Sequence, residues 1–367
     1  MLRGCLRGLF GAGRLVRSSM PPLCSTPPGA TGDDAPHFRE SLDAAPALRY
    51  FSLARYALAA GLNALGVRAG ALVLLPEFIC RDVLAALHVA GAVPVYYPVD
   101  AHLAPALAPG EWPDAAAVLM VNYFGFAQDP EPFEQYRART GARLIEDNAH
   151  GFLSRDASGR WLGRRGDVGF FSLRKTFLFD NGAALTLESP HASLPPQLNE
   201  MYTPGAGSIR MRRALHGLPA GHRISAFAAR AVRLVRKSFI ARRMSAGAAL
   251  TAVTDDAETA IPGNAAPFQG FARMLAEQEF IAEVSRRRAL YAMLEPRARA
   301  LGMMPVFETL PAETVPYGLP VYCDDAAPLA RLAASAHLDW IQWPDLPKAV
   351  AVQAPPHYRR LRLINFL

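Results

Sequence analysis

The chain has 367 residues, of which 51% are hydrophobic and 19% are charged, so it can bury a large core in two domains and is not a disordered chain. Its formal net charge is +7, but the arginines are spread along the sequence without an aromatic-interleaved basic motif, and we expect no nucleic-acid binding. The four cysteines include no C-x-x-C pair, which excludes a disulfide framework and a zinc site and predicts a cytoplasmic location.

The first 38 residues differ in composition from the rest of the chain. They are rich in arginine, glycine and serine, and Asp33 is their first acidic residue. We expect residues 1–38 to form a disordered extension; the alternative is a transit peptide, which shares this arginine-rich and acid-poor character. No window of the sequence is apolar for long enough to span a bilayer, so we expect no integral membrane association.

Helices and strands alternate through the first half of the chain. Ala/Leu-rich and amphipathic stretches predict helices over residues 53–66, 81–90 and 130–140. Short apolar runs bounded by turn-forming residues predict strands over residues 71–76, 93–100, 116–121 and 143–147. This alternation predicts an α/β fold with a mostly parallel sheet sandwiched by helices, in a large domain over residues 39–200. In such sheets ligands bind beyond the carboxyl ends of the strands.

The alternation ends near residue 188, and a Pro/Gly-rich stretch follows. We expect residues 201–262 to form a helical and loop connection between domains. Its basic stretch at 224–250 is interpreted as a solvated helix, with an amphipathic membrane-surface helix as the alternative.

The last third of the sequence returns to regular patterns. One long helix is predicted over 271–301, with Arg286-Arg287-Arg288 as its exposed face. Strands are predicted at 319–322 and 340–343. We therefore expect residues 263–367 to form a smaller C-terminal α+β domain.

Ionisable side chains follow two of the predicted strands. Lys175 comes after the apolar run 170–173, where desolvation and the adjacent Arg174 would lower its pKa toward that of a Schiff-base lysine; the alternative is an ordinary strand-end lysine. Asp147 either keeps a ring nitrogen protonated or caps a following helix. His150 either contacts a ring substituent or is a core histidine. Together the three side chains form a minimal set for binding pyridoxal phosphate.

Several motifs occur in the order found in a known family. They are Ile145-Glu146-Asp147-Asn148-Ala149-His150, Gly166-Asp167-Val168, Phe171-Ser172, Lys175 and Gly182-Ala183. In this order they resemble the E-D-A-A-H/Q, G-D-x-x-x-F-S and lysine motifs of the DegT family of pyridoxal-phosphate-dependent sugar aminotransferases, which have aspartate-aminotransferase fold type I. The resemblance is strongest over residues 50–190.

The resemblance implies a role for each motif residue. Lys175 would form the Schiff base with pyridoxal phosphate and move the proton between substrate carbons, Asp147 would pair with the pyridinium nitrogen, and His150 would lie near the ring hydroxyl. The cofactor phosphate would be bound by the hydroxyl of Ser172. Backbone N–H groups at the start of a helix would assist it, those of Ala54, Arg55 and Tyr56.

The same resemblance implies the reaction and the assembly. Its members transfer an amino group from an amino acid such as glutamate to a keto sugar carried on a nucleotide, in polysaccharide or antibiotic sugar biosynthesis. They are usually homodimers with the site at the interface, and we expect a homodimer here.

Three positions depart from the family pattern. The phosphate-binding S-G-T-x-A-L segment is replaced by residues 53–58, where Arg55 is our candidate substitute for the lost hydroxyl. Cys80 stands where many members have an aromatic residue over the cofactor ring, and the G-x-N-x-R-M segment has only Asn264 as a distant counterpart. These departures leave an alternative function, a catalytically impaired cofactor-binding or scaffold protein of the same fold. A third interpretation, a peripheral-membrane or nucleic-acid binder, has only the charge of 230–243 in its favour.

Overall fold

The computed structural model describes residue 42 and residues 45–177, 179–188, 193–201 and 256–367. The predicted extension at residues 1–38 and the predicted basic helix at 224–250 lie outside the described residues. Both therefore stay predictions.

A seven-stranded sheet is the larger sheet of the described chain. Its strands are β1 (Ala47–Phe51), β2 (Leu72–Pro76), β3 (Val93–Tyr97), β4 (Ala117–Val121), β5 (Arg143–Asp147), β6 (Val168–Phe171) and β7 (Ala183–Leu187). Their order across the sheet is β1-β7-β6-β5-β4-β2-β3. Strands β2 to β6 are parallel, whereas β7 is antiparallel to β6 and β1 is antiparallel to β7. The predicted mostly parallel sheet is confirmed, and its antiparallel edge was not predicted.

Three helices connect strands of the large sheet. They are α1 (Ala54–Ala64), α2 (Leu84–Ala90) and α3 (Glu131–Thr140). Helix α1 begins after Leu53, which has an extended backbone, and the chain turns at Gly66 with φ 72°, a value that favours glycine. All five residues of β4 are buried, as expected for a strand that is covered on both faces of the sheet.

A smaller antiparallel sheet lies in the C-terminal part of the chain. Its strands are β8 (Met304–Pro305), β9 (Gly318–Tyr322), β10 (Asp339–Gln342) and β11 (Leu361–Asn365), in the order β10-β11-β9-β8. Its helices are α4 (Phe271–Ala276), α5 (Phe280–Ala300), α6 (Ala326–Ser335), α7 (Lys348–Ala351) and α8 (Pro356–Arg360). The predicted second, smaller α+β part of the fold is confirmed.

The prediction of one long helix over 271–301, with Arg286-Arg287-Arg288 as its exposed face, was wrong in two respects. The helix is divided into α4 and α5, because Glu279 between them has the non-helical angles φ −84° and ψ 77°. Arg287 is 2% exposed instead of lying on a solvent face. Its guanidinium can be buried because Glu283 pairs with it and main-chain carbonyls accept its remaining N–H groups.

One hydrophobic core includes residues of both sheets, since buried side chains of β4, β5, β9 and β11 belong to a single cluster. The boundaries proposed at 39–200, 201–262 and 263–367 stay predictions. Among the described helices, none is long and apolar enough to cross a bilayer.

Candidate active site

The carboxyl ends of neighbouring parallel strands bring the predicted site residues to one edge of the large sheet. Strand β5 ends at Asp147, which is opposite Phe170 of β6. Ser172 follows β6 directly, and a single 3₁₀ turn, Leu173–Lys175, carries the lysine. The N–H of Lys175 donates to the carbonyl of Ser172 at 2.9 Å. The lysine is therefore held by a short and well-defined turn next to the end of β5.

His150 is the nearest polar partner of the lysine. The Nζ atom of Lys175 lies 3.1 Å from Nε2 of His150. The imidazole is stacked between the rings of Phe124 and Tyr317, at centroid distances of 5.5 Å and 4.4 Å and interplanar angles of 7° and 3°. Trp343 meets it edge-on at 5.3 Å. Packing on both faces fixes the plane of the ring and aims Nε2 at the lysine.

Burial changes the protonation of both partners in this pair. It lowers the pKa of Lys175, with the neighbouring Cys80 and Asp147 opposing the effect and Arg174 adding to it. It lowers the pKa of His150 well below its usual value, and the charges of Lys175 and Arg287 lower it further. Burial thus shifts both side chains toward their neutral forms, and at Lys175 the acidic neighbours oppose this shift.

Asp147 is a buried carboxylate beside this pair. It is 7% exposed, and burial raises its pKa to about 6, while the N–H of Ala149, donating to Oδ1 at 2.9 Å, and the charge of Lys175 lower it. No helix begins between Asp147 and strand β6, so the alternative role as a helix cap does not apply. A cation placed against this carboxylate would offset the cost of its burial.

A fully buried polar network lies directly behind Asp147. The carboxylate of Glu146 accepts from the guanidinium of Arg165 at 2.7 Å and from the side-chain amide of Asn122 at 2.8 Å. Asn122 also donates to Asn148 at 3.2 Å. Sequence reasoning missed this network, although Glu146 and Asn148 flank Asp147 in the motif. It anchors the turn that carries Asp147 and His150 at the ends of β4 and β5.

The start of α1 lies next to the turn that carries the lysine. The carbonyl of Ser52 accepts from the N–H of Gly182 at 2.7 Å, and the carbonyl of Gly182 accepts from the N–H of Arg174 at 3.2 Å. Ser172 is 3% exposed. Its hydroxyl forms no hydrogen bond with another described residue and is free to bind a ligand.

The three backbone donors proposed for the phosphate are not equivalent. Within the described chain, the N–H groups of Ala54 and Arg55 have no acceptor, whereas that of Tyr56 donates to the carbonyl of Leu53 at 3.0 Å. The Arg55 guanidinium lies 3.6 Å from the carboxylate of Asp82. Two N–H groups without an acceptor in the described chain and the cationic side chain of Arg55 therefore lie at the start of α1.

Two further positions singled out in the sequence have different surroundings. Burial raises the pKa of the Cys80 thiol to about 12, so it is a neutral thiol near Lys175. Asn264 is engaged within its own chain: its Oδ1 accepts from the N–H of Ala266 at 2.8 Å, and its carbonyl accepts from the hydroxyl of Ser52. In the described part of the chain, no three His, Cys, Asp or Glu residues group into a metal site.

The fold is that of solved aminotransferases that bind pyridoxal phosphate. The putative sugar aminotransferase Spr1654 from Streptococcus pneumoniae, solved in a PLP form, superposes with a TM-score of 0.59 at 14% identity, covering 91% of this chain and 86% of the other. DesV from S. venezuelae superposes with a TM-score of 0.57 at 18% identity, covering 90% and 82%.

A sequence model of the DegT/DnrJ/EryC1/StrS aminotransferase family matches residues 42–318, and the chain belongs to this family. The resemblance drawn from the motifs is thereby confirmed. The 3-amino-5-hydroxybenzoate synthase of Amycolatopsis mediterranei (strain S699) is 33% identical over 135 residues, which are 36% of this chain and 33% of the synthase. Protein MosB of Rhizobium meliloti is 32% identical over 126 residues, 33% of this chain and 24% of MosB. The chain thus aligns with a third or less of each relative's length.

Proposed function

We propose that this chain is a pyridoxal-phosphate-dependent aminotransferase that moves an amino group from a glutamate-like amino acid to a keto sugar carried on a nucleotide. Family membership supports the cofactor and the class of reaction. The observation that carries the proposal is the position of the Lys175 amine, 3.1 Å from a neutral, stacked His150 and beside the buried carboxylate of Asp147.

The residues present fit the chemistry of this cofactor. A ring nitrogen that carries a proton matches Asp147, whose raised pKa reflects a buried carboxylate that no arginine or lysine contacts directly in the described chain. A phosphate matches the free hydroxyl of Ser172 and the two open N–H groups at the start of α1. The chain thus offers an anion site, an amine and a carboxylate at one sheet edge.

Each residue then has a definable task. Pyridoxal phosphate, when bound, supplies the electron sink that makes a proton on the substrate carbon removable. Lys175 would hold the cofactor through Nζ and, once released, would move that proton as a general base. Asp147 would keep the ring nitrogen protonated, and His150 would donate from Nε2 to the ring hydroxyl. Ser172 with Ala54, Arg55 and Tyr56 would hold the phosphate end, Tyr56 least because its N–H is engaged.

The test is an absorption spectrum of the purified full-length chain after addition of pyridoxal phosphate. We expect a visible band of lysine-bound cofactor that Lys175→Ala removes and that changes when glutamate is added, with formation of 2-oxoglutarate. Lys348→Ala, at an exposed lysine, is the matched control and should keep the band. A chain that stays colourless, or a band that survives Lys175→Ala, would contradict the proposal.

The same spectrum distinguishes an active aminotransferase from the alternative function. A catalytically impaired member of the family would show the band but no change with glutamate. We further propose a cytoplasmic location and a homodimer, the assembly that is usual among members of the family. Light scattering of the purified chain tests the dimer.

A further inference from the structure

Phe124 has a backbone conformation that is rare for an aromatic residue. It follows β4 in the turn Tyr123–Gly125 and has φ 56° and ψ 20°, in the left-handed region that glycine adopts without strain. The next residue, Gly125, also has a positive φ of 92°. A strained aromatic residue at the carboxyl end of a central strand persists only where its surroundings hold it.

Phe124 makes three contacts at the site in this left-handed conformation. Its N–H donates to Nδ1 of His150 at 3.4 Å. Its carbonyl accepts from the N–H of Tyr317 at 2.8 Å. Its ring covers one face of the same imidazole. The φ and ψ angles of Phe124 set the directions of its carbonyl and its ring relative to its N–H, so the left-handed conformation belongs with this combination of contacts.

The contact at Nδ1 decides which nitrogen of His150 carries the proton. A nitrogen that accepts a hydrogen bond from a main-chain N–H must present its lone pair, so the proton of the neutral ring is on Nε2. The Nε2–H then points at the Nζ atom of Lys175 at 3.1 Å. Because an ammonium group has no lone pair, this hydrogen bond can form only with a neutral amine.

We propose that Phe124 is a positioning residue whose main-chain N–H fixes His150 as the Nε2–H tautomer, which in turn holds Lys175 as a neutral, nucleophilic amine. The use of a neutral amine at Lys175 rests on the proposed function, whereas the tautomer of His150 does not depend on it. The arrangement is a relay of two hydrogen bonds that begins at a strained peptide and ends at the reactive nitrogen.

The charges around the imidazole act in the same direction. Burial and the guanidinium of Arg287 both disfavour a second proton on His150. Tyr317, which covers its other face, is itself kept neutral, since burial raises the pKa of its hydroxyl to about 12. Cys80, Asp147 and Asp82 favour the ammonium form of Lys175, so the two hydrogen bonds act against these three groups.

The test removes the N–H of Phe124 without removing its ring. Nonsense suppression with 3-phenyllactic acid replaces the amide at position 124 by an ester. The matched control is the same replacement at Phe126, whose N–H lies in the same turn and donates to the carbonyl of Tyr123 at 3.0 Å. Both full-length proteins lose one main-chain hydrogen bond, but only the first loses the donor to His150.

The first readout is the ¹⁵N NMR spectrum of histidine in the cofactor-free chain, with the His150 signals assigned by His150→Gln. We expect Nε2 to be protonated and Nδ1 to be unprotonated in the unmodified chain and in the Phe126 ester. In the Phe124 ester the two tautomers should mix. A proton on Nδ1 in the unmodified chain, or an unchanged tautomer in the Phe124 ester, would overturn the proposal.

The second readout is the rate at which pyridoxal is trapped on Lys175 by cyanoborohydride, measured by mass spectrometry at neutral pH. The Phe124 ester should react about five-fold more slowly, the effect of losing one net hydrogen bond, and the Phe126 ester should react at the original rate. Equal rates in the two esters would contradict the link to Lys175. Neither readout requires amino transfer, so a failure of the proposed reaction would be recognised separately.

Discussion

Replacing Arg287 by methionine should strongly destabilise the fold. The side chain is 2% exposed, and its Nε donates to Glu283 at 2.6 Å. Its two Nη atoms donate to the main-chain carbonyls of Tyr317 at 3.2 Å, Thr176 at 2.9 Å and Lys175 at 3.2 Å. One guanidinium therefore joins helix α5 to the turn that carries the lysine and to Tyr317, the residue that precedes strand β9.

The expected magnitude follows from what the substitution leaves behind. Methionine fills a similar volume, so little packing is lost, but Glu283 loses its buried partner and several carbonyls lose their donors. Removing one partner of a buried ion pair costs about 3–5 kcal/mol, and we expect Arg287→Met to lower the free energy of unfolding by that amount. Arg287→Lys keeps the positive charge but loses the planar guanidinium with its several donors. Its free energy of unfolding should lie between those of Arg287→Met and the unmodified chain.

The measurement is urea unfolding at neutral pH, with Arg286→Met as the matched control. Arg286 pairs with the same Glu283 but its side chain is 38% exposed, and such exposed pairs contribute about 0.2–1 kcal/mol. If Arg287→Met lost no more stability than Arg286→Met, the argument that Arg287 links α5 to the lysine turn would be wrong.

Two further predictions concern the cofactor site. Asp147→Asn should stabilise the cofactor-free chain by about 3 kcal/mol at pH 7, because the carboxyl has its pKa raised from 3.8 to about 6 and each pH unit corresponds to about 1.4 kcal/mol. The raised pKa favours the folded state below pH 3.8, and this contribution is lost as the pH rises through 6. Unfolding at pH 4 should therefore show little difference between the two chains; an equal gain at both pH values would point to another cause. Arg55→Ala should weaken pyridoxal phosphate binding about ten-fold in a titration of absorbance, because a charge-assisted contact is lost. The control Arg68→Ala, at an exposed position, should leave the affinity unchanged. An unchanged affinity in Arg55→Ala would show that Arg55 does not bind the phosphate.

The features of this protein that could be predicted from its sequence are those that depend on a few neighbouring residues, such as strands and turns. Apolar runs ending in ionisable residues located β5 and the strand before Lys175, because strand length and turn residues are properties of a few neighbouring positions. The proximity of Asp147 and Lys175 followed from the rule that parallel strands end at one edge. The side chains that surround Asp147 and Lys175 could not be predicted from any local sequence pattern.

Arg287 and Phe124 show why the rest could not be predicted. Two of the carbonyls that accept from Arg287, those of Lys175 and Thr176, are more than 100 residues away along the chain, so an arginine in a run of three was assigned to a solvent face. Glycine adopts the left-handed conformation without strain, as Gly125 does, and the sequence carries no sign that Phe124 adopts it as well. Both residues depend on contacts formed only when α5 and β9 pack against the large sheet.

The cofactor site concentrates features that cost stability in the cofactor-free chain. A buried carboxylate at Asp147, a buried amine at Lys175 and a left-handed aromatic residue at Phe124 each oppose folding. Binding of a ligand to the folded chain alone adds about 2.7 kcal/mol of stability at a hundred-fold excess over its dissociation constant, close to the cost assigned to Asp147. The polar network around Glu146 and the guanidinium of Arg287 hold these unfavourable groups in place until the ligand is bound. On this argument the site is already formed in the cofactor-free chain, and binding stabilises an arrangement that the packing imposes.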